Sequence, residues 1–188
     1  MAIGDNTKRN VKHIIDKHKA KPTATMKYQG AFLIQIEITP RPQIDRLNDN
    51  NIGFMLPIDN PHCTIMLPKD LKPLKDAHGF TNKELKAMLK NFVATHPAPP
   101  IPQLGAKVHT AYRLEETDDL EVHIQRTNFL RVLNQQEMQA YLDTITDALG
   151  LPKSERFFHV SIANETGRAN DSVGDISRDD CTYGDDEE

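Results

Sequence analysis

Two short segments, far apart in the chain, carry the same pattern of histidine, any residue, serine or threonine, and an aliphatic residue. They are His62-Cys63-Thr64-Ile65 and His159-Val160-Ser161-Ile162. Because side chains alternate between the two faces of a strand, each segment read as a strand presents an imidazole beside a hydroxyl on one face. The opposite face of each strand is hydrophobic and is predicted to lie against a core. The pattern therefore favours folds in which two half-buried strands each keep a polar face.

The composition indicates a globular protein, and 188 residues fit one domain or one pseudo-symmetric domain of two lobes. The formal net charge of -4 argues against a nonspecific nucleic-acid coat protein, which is usually strongly basic. Cys63 and Cys181 are the only cysteines, so neither a disulfide framework nor a zinc site is expected. Since no apolar run reaches the roughly 18 residues that span a bilayer and no signal-peptide pattern is seen, we expect an intracellular protein that does not enter a membrane.

The chain divides into three predicted regions. Residues 1–22 are predicted to be a basic N-terminal helix and linker, with cap residues near Asp5 and Pro22 at its end. Residues 23–174 are predicted to form a two-lobed domain whose halves meet at a proline-rich connector near 97–105, because proline does not continue a helix. Residues 175–188 are rich in Asp and Glu and are predicted to be a disordered acidic tail.

Strand and helix patterns both occur in the central region. Alternating apolar residues predict a strand over 30–39 and a hairpin of strands near 107–114 and 120–126, in which Leu120, Val122 and Ile124 point inward. Two capping patterns, Thr81 with Glu84 and Asn134 with Glu137, begin amphipathic helices. Residues 68–75 are interpreted as a basic loop. The predicted class is α+β with antiparallel sheets around a central cleft.

Two imidazoles and two hydroxyls on facing strands suit one kind of chemistry. In-line cleavage of a phosphodiester needs a base for the attacking hydroxyl or water and an acid for the leaving oxygen. Two imidazoles supply both if their surroundings hold one neutral and one cationic. The hydroxyls supply hydrogen-bond donors for the negative charge of the transferred phosphoryl group. The pattern is short enough to arise twice by chance, so its context as two strands carries the hypothesis.

The paired motifs at His62 and His159 resemble those of the 2H phosphoesterase superfamily, which includes ligase-like RNA cyclic phosphodiesterases and phage anti-CBASS nucleases. The resemblance covers about residues 30–174 and implies a two-lobed pseudo-symmetric α+β fold. It implies that His62 and His159 carry out general acid and base catalysis, that Thr64 and Ser161 bind phosphate, and that no metal or other cofactor takes part. Which histidine is the acid stays open.

The implied substrates are nucleotides, oligonucleotides or RNA ends, through a 2′,3′-cyclic phosphate, a 2′-5′ linkage or a cyclic oligonucleotide. Phage-encoded members are the nearest resemblance, which implies an anti-defence enzyme in the host cytoplasm. The segment 164–168 after the second motif is not a general feature of the superfamily. Two alternatives stay open: a non-catalytic module that binds nucleotides or a partner in the same cleft, and a structural protein in which the motifs are accidental.

Further residues are weaker candidates for the site. Lys69, Lys72 and Lys75 follow the first motif, although a solvated surface is the more common reason for such a run. Arg168 follows the second motif and is interpreted as a surface arginine. Tyr112 is expected to pack within the hairpin rather than to stack on a base.

Overall fold

The computed structural model describes residues 23–29, 33–39, 55–96, 98–116 and 121–181. The predicted helix and linker of 1–22 lie outside them. Over the described residues the strands are β1 (Thr23–Gln29), β2 (Leu33–Thr39), β3 (Leu56–Pro57), β4 (His62–Met66), β5 (Leu104–Glu116), β6 (Val122–Val132) and β7 (His159–Asn164). The helices are α1 (Pro68–His78), α2 (Asn82–Thr95) and α3 (Gln135–Leu149). The predicted α+β class is confirmed, and none of these helices is long and apolar enough to cross a membrane.

The described strands form one antiparallel sheet in the order β1-β2-β4-β7-β6-β5, and β3 pairs with β7. Three strands of this order come from the N-terminal half of the chain and three from the C-terminal half. The halves meet where β4 pairs with β7, with Cys63 opposite Val160. A single continuous sheet therefore stands in place of the separate sheets that the sequence predicts.

One face of the sheet carries the main hydrophobic core, under the three helices. Cys63 and Ile65 of β4 and Val160 and Ile162 of β7 are at most 1% exposed there. The helices contribute the apolar stripes that their spacing predicts, with buried residues Leu85 and Leu89 of α2 and Met138, Leu142 and Ile145 of α3. Burying one such side chain stabilises a fold by about 1.5–3 kcal/mol. The apolar face of each motif strand therefore packs against the helices and holds the strand in place.

Helix α1 replaces the basic loop predicted over 68–75, and that prediction is wrong. Pro68 is the first helical residue, where its fixed φ fits and no amide hydrogen is needed. The Asp70 carboxylate accepts a hydrogen bond of 2.8 Å from the amide of Leu67. Leu71 and Leu74 are buried in the core, and Gly79 ends the helix in the left-handed region at φ +62. Pro68 and Pro73 made this segment resemble a loop. Pro68, however, stands at the first helical position, where proline is favoured.

The β5–β6 hairpin is longer than predicted and extends past the helices. Val122 and Ile124 are 63% and 47% exposed, so the prediction that they point inward is wrong, and Leu120 lies outside the described residues. Tyr112, expected to pack within the hairpin, is 58% exposed. Val122 and Ile124 lie on one face of β6, as their alternation predicts, but the described structure has no helix over that part of the hairpin.

The segment 175–181 differs from the predicted disordered tail, because it packs on the sheet. Ile176 is 6% exposed and lies with Val173 against Phe129. The guanidinium of Arg113 donates two hydrogen bonds, of 2.8 and 3.0 Å, to the carboxylate of Asp180. Acidic residues here pair with a strand arginine instead of repelling one another in solvent. Residues 182–188 lie outside the described structure.

Candidate active site: a cleft across the two motif strands

The four residues of the paired motifs line one cleft of about 410 Å³ on the face of the sheet opposite the helices. Its other lining residues follow β3 and β4, precede β7 or belong to the loop 169–174: Ile58, Leu67, Pro68, Arg156, Ala169, Asn170, Ser172, Val173 and Gly174. The described lining contains no carboxylate. A chain of net charge -4 thus has a cleft whose described ionisable groups are two imidazoles and one guanidinium.

The register of β4 and β7 places each imidazole opposite a hydroxyl. Cys63 pairs with Val160 in an antiparallel bridge. Extending this register by one residue sets His62 opposite Ser161 on one side and Thr64 opposite His159 on the other. Directly opposed side chains in such a pair have Cβ atoms about 5 Å apart. The two motifs therefore form a local two-fold arrangement in which both imidazoles and both hydroxyls face the same space.

Both imidazoles are held by the same kind of hydrogen bond. Nδ1 of His62 lies 2.8 Å from the carbonyl oxygen of Asn60, and Nδ1 of His159 lies 3.3 Å from that of Phe157. A carbonyl only accepts, so Nδ1 of each ring carries the hydrogen and donates it. In the neutral rings Nε2 therefore keeps its lone pair, the state that a general base needs.

The surroundings of the two rings differ. His159 lies against Phe129 and Phe157, with ring centroids 5.7 and 6.1 Å away. Burial is the main cause that lowers the pKa of His159 to about 4, and the positive charges of Arg156 and His62 lower it further. The hydrogen bond to the Phe157 carbonyl opposes this shift. His159 is therefore neutral at pH 7, while the hydrogen bond of His62 lies in exposed surroundings.

Arg156 adds a fixed positive charge to the cleft and is absent from the residues predicted for the site. Its Nε donates a 3.0 Å hydrogen bond to the carbonyl of Thr64, and one terminal nitrogen lies 3.6 Å from the carboxylate of Asp70. Burial lowers the pKa of Arg156, Asp70 raises it, and a guanidinium stays charged in proteins. Arg156 lies in irregular backbone before β7, so no strand alternation relates it to His159.

The loop after β7 forms one wall of the cleft, and the buried side chain of Asn164 holds it in place. Oδ1 of Asn164 accepts a hydrogen bond of 2.6 Å from the amide of Gly167, and Nδ2 donates one of 2.6 Å to the carbonyl of Arg168. The amide of Val173 donates a bond of 2.8 Å to Oγ1 of Thr127 on β6. Gly167 has φ +72, a conformation that favours glycine. The sequence singled out 164–168 as unusual but predicted no such anchor.

The weaker candidates lie outside the cleft. Lys69, Lys72 and Lys75 line a groove of about 340 Å³ along α1. The side chain of Arg168 is exposed, as predicted for a surface arginine, and is not part of the lining. Cys63 lies on the core face, where burial raises the pKa of its thiol to about 12, so it is not a thiolate nucleophile at neutral pH. Among the residues that the structure describes, no three His, Cys, Asp or Glu side chains are grouped to hold a metal.

Comparisons of the chain with protein-family models, with curated proteins and with solved structures found no match.

Proposed function

We propose that this protein is a phosphodiesterase that cleaves nucleotide or RNA phosphodiester bonds by general acid and base catalysis with two histidines. The observation that carries the proposal is the β4–β7 register, which brings His62, His159, Thr64 and Ser161 to one cleft lined by Arg156. The hydroxyls of this cleft supply hydrogen-bond donors to an anionic substrate, and the guanidinium supplies positive charge. Both kinds of group are what catalysis of phosphoryl transfer needs.

The unequal surroundings of the rings support a division of labour. His159 is neutral at pH 7 because its pKa is about 4, so its Nε2 accepts the proton of the nucleophile, water or the free ribose hydroxyl beside the scissile phosphate, as the new P–O bond forms. His62 donates a proton from its Nε2 to the leaving oxygen as the old P–O bond breaks. Arg156, Thr64 and Ser161 stabilise the non-bridging oxygens. The two imidazoles supply both proton transfers, so the proposed reaction needs no metal ion.

The strand order also supports a pseudo-symmetric fold of two lobes related at the β4–β7 boundary. Each half contributes two antiparallel strands followed by a motif strand: β1, β2 and β4 in one, β5, β6 and β7 in the other. This is the arrangement that the resemblance to 2H phosphoesterases implies. The proposed substrates remain 2′,3′-cyclic phosphates, 2′-5′ linkages and cyclic oligonucleotides, and a phage anti-defence enzyme fits the last two.

The test is a panel of these substrates incubated with the purified protein in EDTA, with products identified by mass spectrometry. We expect cleavage of at least one substrate by the wild-type protein and its loss in both His62→Ala and His159→Ala. Full activity in either variant would contradict the two-histidine mechanism. Binding of the panel without turnover would instead favour a non-catalytic nucleotide-binding module.

A further inference from the structure

A larger pocket of about 850 Å³ adjoins the catalytic cleft. Arg156 lines both. Two further contacts show how close they lie: Arg131 is the register partner of His159 on β6, and the ring of Phe157 stacks on the imidazole of His159 at 6.1 Å and 15°. Both Arg131 and Phe157 line the larger pocket. The two cavities therefore adjoin at Arg156.

The charges of the pocket favour an anion. Arg131, Arg156 and Arg178 contribute three guanidinium groups, whereas Glu137 and Glu155 contribute two carboxylates. Arg156 also lies 3.6 Å from the carboxylate of Asp70, and Glu137 accepts a hydrogen bond of 3.0 Å from Nδ2 of Asn134, which leaves Arg131 and Arg178 as the pocket's other two guanidinium groups. The guanidinium fork matches phosphate geometry, which makes arginine the common partner of phosphate groups.

The pocket also offers a surface for a nucleobase. Phe157 is only partly buried, and its ring is fixed by edge contact with Phe129, with centroids 6.5 Å apart. A fixed aromatic ring stacks on any base without sequence preference. The amide side chain of Gln136 lines the same pocket and supplies a hydrogen-bond donor and acceptor, whereas those of Asn134 and Gln135 bond to the protein itself.

We infer that this pocket is a second nucleotide subsite, so that the substrate is an oligonucleotide of at least two linked nucleotides and not a lone mononucleotide. The inference rests on the proposed function, because it takes the scissile phosphodiester to lie between His62 and His159. Arg131 and Arg178 then bind the neighbouring phosphate, Phe157 stacks on the neighbouring base, and Arg156 spans both sites. A single mononucleotide bound in the cleft would not contact Arg178, which lines the larger pocket alone.

The test measures binding by calorimetry of the deoxy-dinucleotide pdApdA and of dAMP, since the deoxy sugars lack a 2′-hydroxyl nucleophile. Arg178 is the residue to change, because it is exposed at the pocket wall and lies outside the catalytic cleft. We expect pdApdA to bind the wild type about tenfold more tightly than dAMP, the gain of one charged hydrogen bond or stacked base. R178Q removes about that factor for pdApdA and R178E removes more, while dAMP affinity changes less than twofold. R168Q, an exposed arginine outside both sites, is the matched control and changes neither affinity.

Equal affinities of the wild type for pdApdA and dAMP would overturn the inference, as would R178Q lowering both affinities alike or neither. Turnover of the substrate panel is measured as well, because it tests the proposed phosphodiesterase function independently of the subsite. If the wild type prefers pdApdA through Arg178 but cleaves no substrate, the subsite stands as a binding site and the phosphodiesterase proposal fails. If it cleaves mononucleotide cyclic phosphates and oligonucleotides with equal kcat/KM in wild type and R178Q, the subsite assignment fails and the phosphodiesterase proposal stands.

Discussion

Strands β4 and β7 carry the same motif on the same face of the sheet, yet they give their histidines different environments. Both rings donate Nδ1–H to the carbonyl two residues earlier in the chain, at Asn60 and at Phe157. Only His159 is packed between aromatic rings, and burial lowers its pKa to about 4. The comparison teaches that a repeated motif determines where the imidazoles point, whereas the neighbours of His159 lower the pKa of that ring.

The largest expected effects follow from removing either imidazole. H159Q removes the proposed base and H62Q the proposed acid, and each should lower kcat by about 10²–10⁴-fold, the usual contribution of a positioned acid or base. The activity losses of the two variants should depend differently on the leaving group. A p-nitrophenyl ester needs no acid, because p-nitrophenolate leaves without being protonated. Steady-state kinetics on nucleoside p-nitrophenyl phosphodiesters should therefore restore most activity to H62Q and none to H159Q.

H123Q is the control for these variants, since His123 is 52% exposed and pairs with Glu165 outside the cleft. It should keep wild-type kinetics on both kinds of substrate. Rescue of H159Q in place of H62Q would exchange the two assignments. Equal loss in both variants whatever the leaving group would show that the rings are not divided into base and acid.

Arg156 precedes β7 and donates a hydrogen bond to Thr64 of β4, so its replacement tests a group of the cleft that connects the two motif strands. R156Q removes the positive charge beside the transferred phosphoryl group and should lower kcat/KM by about 10²–10³-fold, as for loss of one transition-state donor. R156K keeps the charge but loses the fork that reaches the Thr64 carbonyl and Asp70, and should fall between R156Q and wild type. Kinetics with both variants, after circular dichroism confirms folding, make the measurement. R156Q with wild-type kcat/KM would remove Arg156 from the site.

The hydroxyls should give the smallest and most symmetrical effects. T64V and S161A each remove one hydrogen-bond donor to the phosphoryl oxygens, and each should lower kcat/KM by about tenfold, the value of a hydrogen bond to a charged group. Because the β4–β7 register sets each hydroxyl opposite the other strand's imidazole, the two losses should agree within about threefold. A large loss in one variant and none in the other would show that the local two-fold arrangement does not extend to phosphate binding.

Much of this arrangement follows from patterns within single elements. Period-two alternation predicts which side of β7 holds Phe158, Val160 and Ile162 and which side holds His159 and Ser161. Helix periodicity predicts the stripes of α2 and α3, and the capping box of Thr81 and Glu84 is confirmed. These features depend on neighbours close in the chain, so they can be read from sequence.

The remaining features depend on partners that are distant in the chain. Arg156 enters the cleft because irregular backbone turns it toward Thr64, 92 positions earlier. The segment 175–181 packs on the sheet where Asp180 pairs with Arg113, a contact across 67 positions. Val122 and Ile124 sit on an apolar face that the described helices do not reach. Composition and periodicity carry no information about such contacts between residues that are distant in the chain.

The central claim, that two Nδ1–H imidazoles in unequal surroundings face one proposed phosphoryl site, is tested most directly by ¹⁵N NMR of histidine-labelled protein. The spectra are recorded across pH 3–8 with and without inorganic phosphate. We expect His62 and His159 both to show Nδ1–H with an unprotonated Nε2 when neutral, and His159 to titrate near pH 4. Phosphate should then shift the Nε2 resonances of both rings. An Nε2–H tautomer at His159, titration of His159 near its ordinary pKa of about 6.5, or a phosphate response at only one ring would contradict the claim.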